Sequence, residues 1–316
     1  MKTIFREMLY AFFMGAVVPA AILAVIVLLK EEPAPVTAQP TELVLQDGAM
    51  EVFFRQGDGT VIQMDMNDYL VGVVLAEMPA SFEPEALKAQ AVVARTYTRK
   101  RMEGGKHGQA AVCMDSGCCQ GWRSGEDYLA QGGKPSAVEK VRAAVADTDG
   151  LVLRYEGKLI DATYFSCSGG VTEDAVAVWG QDVPYLKSVQ SPGEEEAPRF
   201  SDSVTFSPGD FAGKLGLSAA GDPGSWFGAV TYTAGGGVET MVIRGKSFSG
   251  TQLRSKLGLR STAFAITVSG DKITVTTRGF GHRVGMSQYG AQAMAQEGSS
   301  FSDILAHYYT GTELGQ

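Results

Sequence analysis

Cysteine and histidine are scarce in this chain, four of one and three of the other among 316 residues. Four cysteines, three of them clustered, cannot form a disulfide framework for a chain this long, and the clustering points to a local site instead. A surplus of basic side chains is also missing. With 27 Lys and Arg against 35 Asp and Glu, the formal net charge is -8, which leaves no counter-charge for a nucleic-acid backbone and gives an acidic domain nothing to gain from anionic lipid. There is no internal repeat. What is present, 45% hydrophobic and 20% charged residues, is the composition of a globular chain with a sizeable core.

One long apolar run breaks this pattern. Residues 9–29 carry no charge, and about 21 residues at about 1.5 Å each just cross a hydrocarbon core of about 30 Å. Lys2 and Arg6 precede the run, so residues 1–8 read as a cytoplasmic tail, 9–29 as a single transmembrane helix, and the remainder as extracytoplasmic. A cleaved signal peptide is the competing reading, against which stand the length of the run and the want of a small-residue cleavage site before Lys30. Residues 30–42 have the proline-rich composition of a linker, and the folded domain is expected over 43–316.

Within that domain the alternation of residue types predicts strands at 43–45, 51–55 and 60–64, with Gly57, Asp58 and Gly59 as a turn. Asn67 and Asp68 offer an N-cap for a short helix that ends at Pro79. Pro84 opens a second helix running to about Met102, and a third is expected over 136–145. Residues 151–155 and 159–165 read as a hairpin, as do 266–268 and 273–277. Phe301, Ile304, Leu305 and Tyr308 share one helix face. Residues 191–237 are glycine-rich with weak periodicity and read as loops around a smaller inserted lobe at about 191–265. The fold class expected is α+β, a two-lobed mixed ectodomain behind the single N-terminal membrane helix.

Glu77 stands out because Val73 and Val74 precede it on a helix that ends just beyond it. Burial and the negative end of a helix both favour the protonated carboxyl that a general acid needs; the competing reading is an exposed helix-end glutamate. On the next helix Lys88 and Arg95 share a face with Gln90 nearby, able to donate to a sugar or a carboxylate, although solvated charge explains such residues equally. Arg95 sits among Val92, Val93, Ala94 and Thr96, where a guanidinium wants a partner. His107, Cys113, Cys118 and Cys119 place four soft or borderline ligands within thirteen positions, enough for a tetrahedral zinc shell. A disulfide between Cys113 and Cys119 is the alternative.

The run from Asp68 through Glu77, Met78 and Pro79, followed by Glu85 to Tyr97, resembles the start of the stage II sporulation protein D domain. The resemblance continues at 164–170, at Val178, Trp179 and Gly180, at Leu253 and Arg254, and at 279–291, so it covers nearly all of the chain after Leu43. It implies a membrane-anchored lytic transglycosylase acting during spore engulfment on peptidoglycan glycan strands already stripped of peptides, with Glu77 as the catalytic acid. The mother-cell membrane facing the forespore would be its place. Its partners would be a membrane-anchored amidase or endopeptidase and a membrane scaffold. The resemblance also implies a structural zinc held in the cysteine stretch, with Cys118 standing where relatives carry histidine.

From the matching segments, Tyr164, Ser168, His282, Ser287, Gln288 and Tyr289 are expected to line the glycan cleft beside Lys88, Gln90 and Arg95. Ser287 is a candidate N-cap as well, and a histidine packed to hold a tight turn is the other reading of His282. Relatives usually have glycine at the position of Arg283, so either the loop differs slightly or Arg283 points to solvent. Two other function classes stand beside the transglycosylase. Ser168 or Cys167 with His282 would make a nucleophilic hydrolase, though no nucleophile elbow surrounds them. A noncatalytic wall-binding module that recruits or stimulates an amidase is the alternative outside hydrolytic chemistry.

Overall fold

The computed structural model describes residues 51–316 except 105, 106, 196 and 199, all within one compact unit. The expected tail, membrane helix, linker and first strand at 43–45 lie outside the described residues. Among the described residues no helix is long and apolar enough to cross a membrane.

β1 (Glu51–Arg55) and β2 (Val61–Asp65) form the expected antiparallel hairpin. Helix α1 (Met66–Glu77) follows without a break, and its N-cap is Asp65 rather than Asn67 or Asp68. The Asp65 carboxylate accepts from the backbone N–H groups of both those residues, at 2.8 and 3.2 Å. Helix α2 (Pro84–Met102) starts on Pro84, has Glu85 in its first turn and Arg99, Lys100 and Arg101 in its last, charges that match the ends of the helix dipole. Its small buried residues Ala86, Ala89, Ala91 and Ala94 let neighbours approach from several sides. β3 (Val112–Cys113) adds in parallel to β1, and α3 (Gly125–Ala130) and α4 (Pro135–Ala146) follow.

The next hairpin is shorter than its sequence suggests. β4 (Val152–Tyr155) pairs with β5 (Lys158–Leu159), the chain then leaves the sheet, and β6 (Tyr164–Phe165) belongs to a different pairing altogether. After α5 (Ala175–Trp179) the chain builds a second core from β7 (Ser201–Phe206), α6 (Pro208–Leu215), β8 (Phe227–Tyr232), β9 (Val238–Ile243), β10 (Lys246–Ser249), α7 (Gly250–Leu257), β11 (Phe264–Ser269) and β12 (Lys272–Arg278). Phe206, Phe211, Trp226, Ile243, Phe248, Leu253, Ile273 and Val275 fill it. Residues 191–237, read as loops, thus contain two strands and a helix. Their pattern is weak because β7 and β8 bury few of their side chains and leave most exposed, so a period-2 alternation of hydrophobicity scarcely develops.

β13 (Met286–Ser287) runs parallel to β6, with Met286 opposite Tyr164 and Ser287 opposite Phe165. Helix α8 (Gln288–Gln296) starts on the Ser287 cap, α9 (Phe301–Tyr308) carries the expected apolar face, and β14 (Glu313–Gly315) closes on β4. α2 is the hub of this first core, packing against α1, α4, α8, α9 and β4. The described residues are therefore a mixed α+β structure.

Arg283 corrects an expectation. It adopts φ of 66°, a left-handed backbone that suits glycine, yet its side chain points inward and is 2% exposed. The guanidinium donates to the carbonyls of Ser168 (2.6 Å), Val171 (2.7 Å) and Gly235 (2.7 Å) and to Glu173, itself buried, at 3.1 Å. Three backbone acceptors and a carboxylate supply the partners that solvent would otherwise have given. Removing Glu173 should strand this charge. Glu173→Ala is expected to cost about 3–5 kcal/mol in denaturant unfolding, while Asp182→Ala, which breaks the exposed pair with Lys187, should cost no more than about 1 kcal/mol.

Candidate active site and metal-ligand cluster

Glu77 is the last residue of α1, where Met78 turns into extended backbone. Its side chain enters a cleft of about 630 Å³ walled by residues 75–79, by Ser116, Cys119 and Arg123 of the cysteine loop, by residues 162–166 around β6, and by Phe280, Gly281, His282, Gln288 and Tyr289. Among the described residues lining this cleft Glu77 is the only carboxyl group. Burial pushes its pKa above the ordinary carboxyl value, while the Gly121 N–H, donating to Oε1, and the Tyr164 side chain pull it the other way without reversing the shift. The helix C-terminus acts in the same direction as burial. Tyr164 is partly buried, and desolvation of its phenol together with the Glu77 charge holds that phenol protonated well beyond its normal range.

The loop that delivers Gly121 also carries the cysteines. Cys113 ends β3, fixed by its parallel pairing with Arg55, and the N–H groups of Cys118 and Cys119 both donate to the Asp115 carbonyl, at 2.9 and 2.8 Å. His107 Nε2 lies 3.2 Å from Cys119 Sγ and 3.6 Å from Cys118 Sγ. The four ligand atoms of His107, Cys113, Cys118 and Cys119 lie within 4.8 Å of one another. About 2.3 Å for Zn–S and about 2.1 Å for Zn–N put tetrahedral ligand atoms roughly 3.5–3.8 Å apart, so this donor set can hold a metal ion. All four cysteines are free thiols, so the alternative Cys113–Cys119 disulfide is not formed.

Gln120 and Trp122 flank Gly121, the residue through which the cysteine loop touches Glu77. Gln120 is buried, with Nε2 donating to Thr98 Oγ1 at 2.9 Å. Trp122 seats on α1 so tightly that a Cβ at Gly72 would fall 2.2 Å from its Nε1. Gly121, between them, is thereby held against Glu77.

Of the residues expected to line the cleft, Tyr164, His282, Gln288 and Tyr289 do so. Lys88 is instead committed to Glu85 and Asp147, each at 3.1 Å. Arg95 is wholly buried and donates to the carbonyls of Val145 (3.1 Å) and Leu151 (3.4 Å), tying α2 to the end of α4. It also donates to Thr148 Oγ1 at 3.4 Å, so the partners it wanted come from the fold itself. Gln90 is buried beneath the cleft and accepts from Gln288 Nε2 at 3.4 Å.

Ser168 and Ser287 are also withdrawn from the cleft, because both donate to the buried carboxylate of Glu194. Glu194 accepts at Oε2 from Cys167 Sγ (3.2 Å), the Ser168 N–H and hydroxyl (2.8 Å each) and the Gly169 N–H (2.9 Å), and at Oε1 from the hydroxyls of Ser191 (2.7 Å) and Ser287. Burial, with the Glu194 charge beside it, pushes the Cys167 thiol up to about 12. His282 reaches neither nucleophile candidate. Its Nδ1 accepts from the Val284 N–H at 3.1 Å, its ring bonds the Tyr164 backbone, and burial, with the charge of Arg254 second, lowers its pKa to about 4. A neutral, turn-holding histidine and two inward-facing nucleophiles leave His282 paired with neither Ser168 nor Cys167, so that hydrolase reading has no site.

Sequence reasoning missed Gly121, Arg123 and Glu194. Arg123 lines the cleft with its guanidinium held by the Leu75 carbonyl and by Gln131 at 3.0 Å. Only the closeness of Gly121 and Arg123 to the cysteine cluster could have drawn attention to them. Glu194, one of three consecutive glutamates, looks like solvated charge.

A family model described as "SpoIID: Stage II sporulation protein" matches residues 55–155. The protein named "Stage II sporulation protein D" from Bacillus subtilis (strain 168) is 42% identical over 269 residues, 83% of this chain and 78% of that one. Its namesake from Bacillus amyloliquefaciens is 41% identical over 286 residues, 88% and 82% of the two chains. An "Amidase enhancer" from Bacillus subtilis (strain 168) is 31% identical over 304 residues, 78% of this chain and 40% of that longer protein. On identity sustained over most of both chains, this protein belongs to the stage II sporulation protein D family.

Proposed function

We propose that this protein is a peptidoglycan lytic transglycosylase with Glu77 as its acid, cleaving peptide-free glycan strands to 1,6-anhydro products during spore engulfment. The observation that carries this reading is the lone, desolvated carboxyl group in the cleft. Hydrolytic glycosidases ordinarily need a second carboxylate to attack the sugar or activate water. In a transglycosylase the substrate's own 6-hydroxyl does that work. Protonated Glu77 gives its proton to the glycosidic oxygen as the bond from the anomeric carbon to that oxygen breaks. The 6-hydroxyl oxygen bonds to the same carbon, and its proton returns to the Glu77 carboxylate. One strand then ends in an anhydro sugar, the other in a free hydroxyl, and no water is consumed. Tyr164, kept neutral, and the Gly121 N–H hold the carboxyl group in place through the cycle.

The His107, Cys113, Cys118 and Cys119 cluster would hold zinc, a fully ligated ion whose role is structural. It would clamp the loop that presents Gly121 to Glu77. Residues 9–29 would anchor the domain outside the mother-cell membrane, beside a membrane-bound amidase or endopeptidase and a scaffold. The likeness to an amidase enhancer favours a second reading, in which the domain binds the wall and stimulates an amidase without cleaving glycan.

Glu77→Gln keeps the shape and the acceptor for Gly121 but cannot give up a proton. It should lower cleavage of peptide-free strands by about 10²–10⁴-fold, with anhydro-ended products vanishing by mass analysis. A variant that still stimulates a partner amidase, from a wild type that releases no anhydro ends, would make the second reading the correct one.

The raised carboxyl pKa also fixes the sign of two pH effects. Activity should fall as pH rises through the native pKa of Glu77, at a higher pH than an ordinary carboxyl group would give. Between the unfolded and native values the folded state binds more protons, so wild-type stability falls with pH across that window. Thermal unfolding of Glu77→Gln should lack that loss and give a variant at least as stable as wild type at neutral pH. For the metal, elemental analysis should find about one zinc per chain, and chelation or Cys119→Ser should lower the unfolding temperature. Metal-free protein with oxidised thiols would exclude the zinc site.

A further inference from the structure

Two side chains flank His282 at the edge of the cleft, and the proton transfers use neither. Trp179, the last residue of α5, packs on the His282 ring with centroids 5.3 Å apart and planes at 53°, yet 44% of it stays exposed. The histidine beneath it is fixed in turn by Phe165, centroids 5.6 Å apart, and by the Val284 N–H. The indole is therefore an open aromatic face on a rigid base, continuous with the cleft wall.

Arg254, on α7, is half-buried. Arg260 and Arg283 are paired with Asp202 and Glu173, but no described carboxylate pairs with Arg254, and burial alone lowers its pKa. Its charge reaches His282. Three contacts bring these elements together. Ala177 and Val178 of α5 line a small pocket with Gly250 and Thr251 of α7. The Leu259 N–H donates to the Arg254 carbonyl at 2.9 Å, and the Gly281 N–H, next to His282, donates to the Arg260 carbonyl at 3.1 Å. A desolvated guanidinium without a counter-charge is costly unless a ligand supplies one.

We propose that Trp179 and Arg254 form a subsite for a muramic acid residue, its sugar ring lying on the indole and its free lactyl carboxylate pairing with the guanidinium. This rests on the glycan-strand reading above and adds a reason for peptide-free substrate. A lactyl group still joined to a peptide is an amide and carries no charge at that position, so Arg254 would stay unpaired. The same contact orders the reactions: an enzyme that hydrolyses the lactyl amide must act before this one.

The test is calorimetric binding to the full-length protein carrying Glu77→Gln, so that nothing is cleaved. The ligands are peptide-free strands and the same strands with their lactyl carboxyls converted to methylamides. The parent should prefer the free acid by about tenfold or more, the size of a charge-assisted contact. Arg254→Gln should abolish that preference and leave methylamide binding unchanged, whereas Trp179→Ala should weaken both ligands several-fold. An arginine that only stabilises the end of α7 would lower the unfolding temperature when replaced and leave the preference intact, which would overturn the proposal. Equal binding of the two ligands by the parent would overturn it without recourse to any variant. Failure of both strands to bind removes the subsite and the glycan reading together. A preference for the free acid in a protein that releases no anhydro products keeps the subsite and removes only the transglycosylase chemistry.

Discussion

The cleft depends on a carboxylate that never meets substrate. Glu194 is 1% exposed and gathers six donors from the 167–169 loop, from Ser191 and from Ser287. Ser191 passes the link on to Tyr308 of α9 at 2.6 Å. A buried anion is tolerable only when its lone pairs are filled, so these segments are fixed relative to one another by the cost of leaving Glu194 unpaired. Ser287 is also the cap of α8, and the next two residues, Gln288 and Tyr289, line the cleft. Ser166, on the other side of the knot, lines it too. Arg283, bonded to the Ser168 carbonyl and to Glu173, braces the same loop from behind.

The opposite wall uses helix geometry and a ligand cluster. α1 runs out at Glu77, so its final carbonyls and the apolar surroundings both oppose ionisation there. The cysteine loop crosses this helix end, anchored by β3 at one side and by Trp122 against Gly72 at the other. Four ligand atoms in one place would turn a loop of poor intrinsic order into a rigid arm. The arm ends at the Gly121 N–H, which donates to the Glu77 carboxyl group. Arg95 and Lys88 brace the helices behind Glu77 and do not line the cleft.

Much of this was legible in the sequence. The helix pair was written in Pro79, Pro84 and the apolar spacing between them, the hairpins in Gly57–Gly59 and in the runs 266–268 and 273–277, and the desolvated carboxyl group in a glutamate placed among valines at a helix end. Four ligands within a short stretch announced the metal-ligand cluster, and local spacing suffices for that because every ligand comes from one short segment. The family followed from the residues themselves.

Tertiary structure decided what local pattern cannot carry. Arg95 was open to a solvent or substrate role and Arg283 to solvent or a slightly different loop, and only the fold shows carbonyls converging on their guanidinium groups. Ser168, Cys167 and His282 looked like a nucleophile set until the backbone turned the first two toward Glu194 and left the histidine bonded to its own loop. β7 and β8 of the second core escaped notice because most of their side chains stay exposed, which leaves no periodic signal, whereas the β11–β12 hairpin, which buries alternate residues of β12, was legible. Sequence by itself determined which residues are chemically able and which helices present them; which able residue faces the cleft depends on contacts between segments more than a hundred positions apart, such as Ser287 with Ser168 through Glu194, and those pairings are set by the burial of the whole chain.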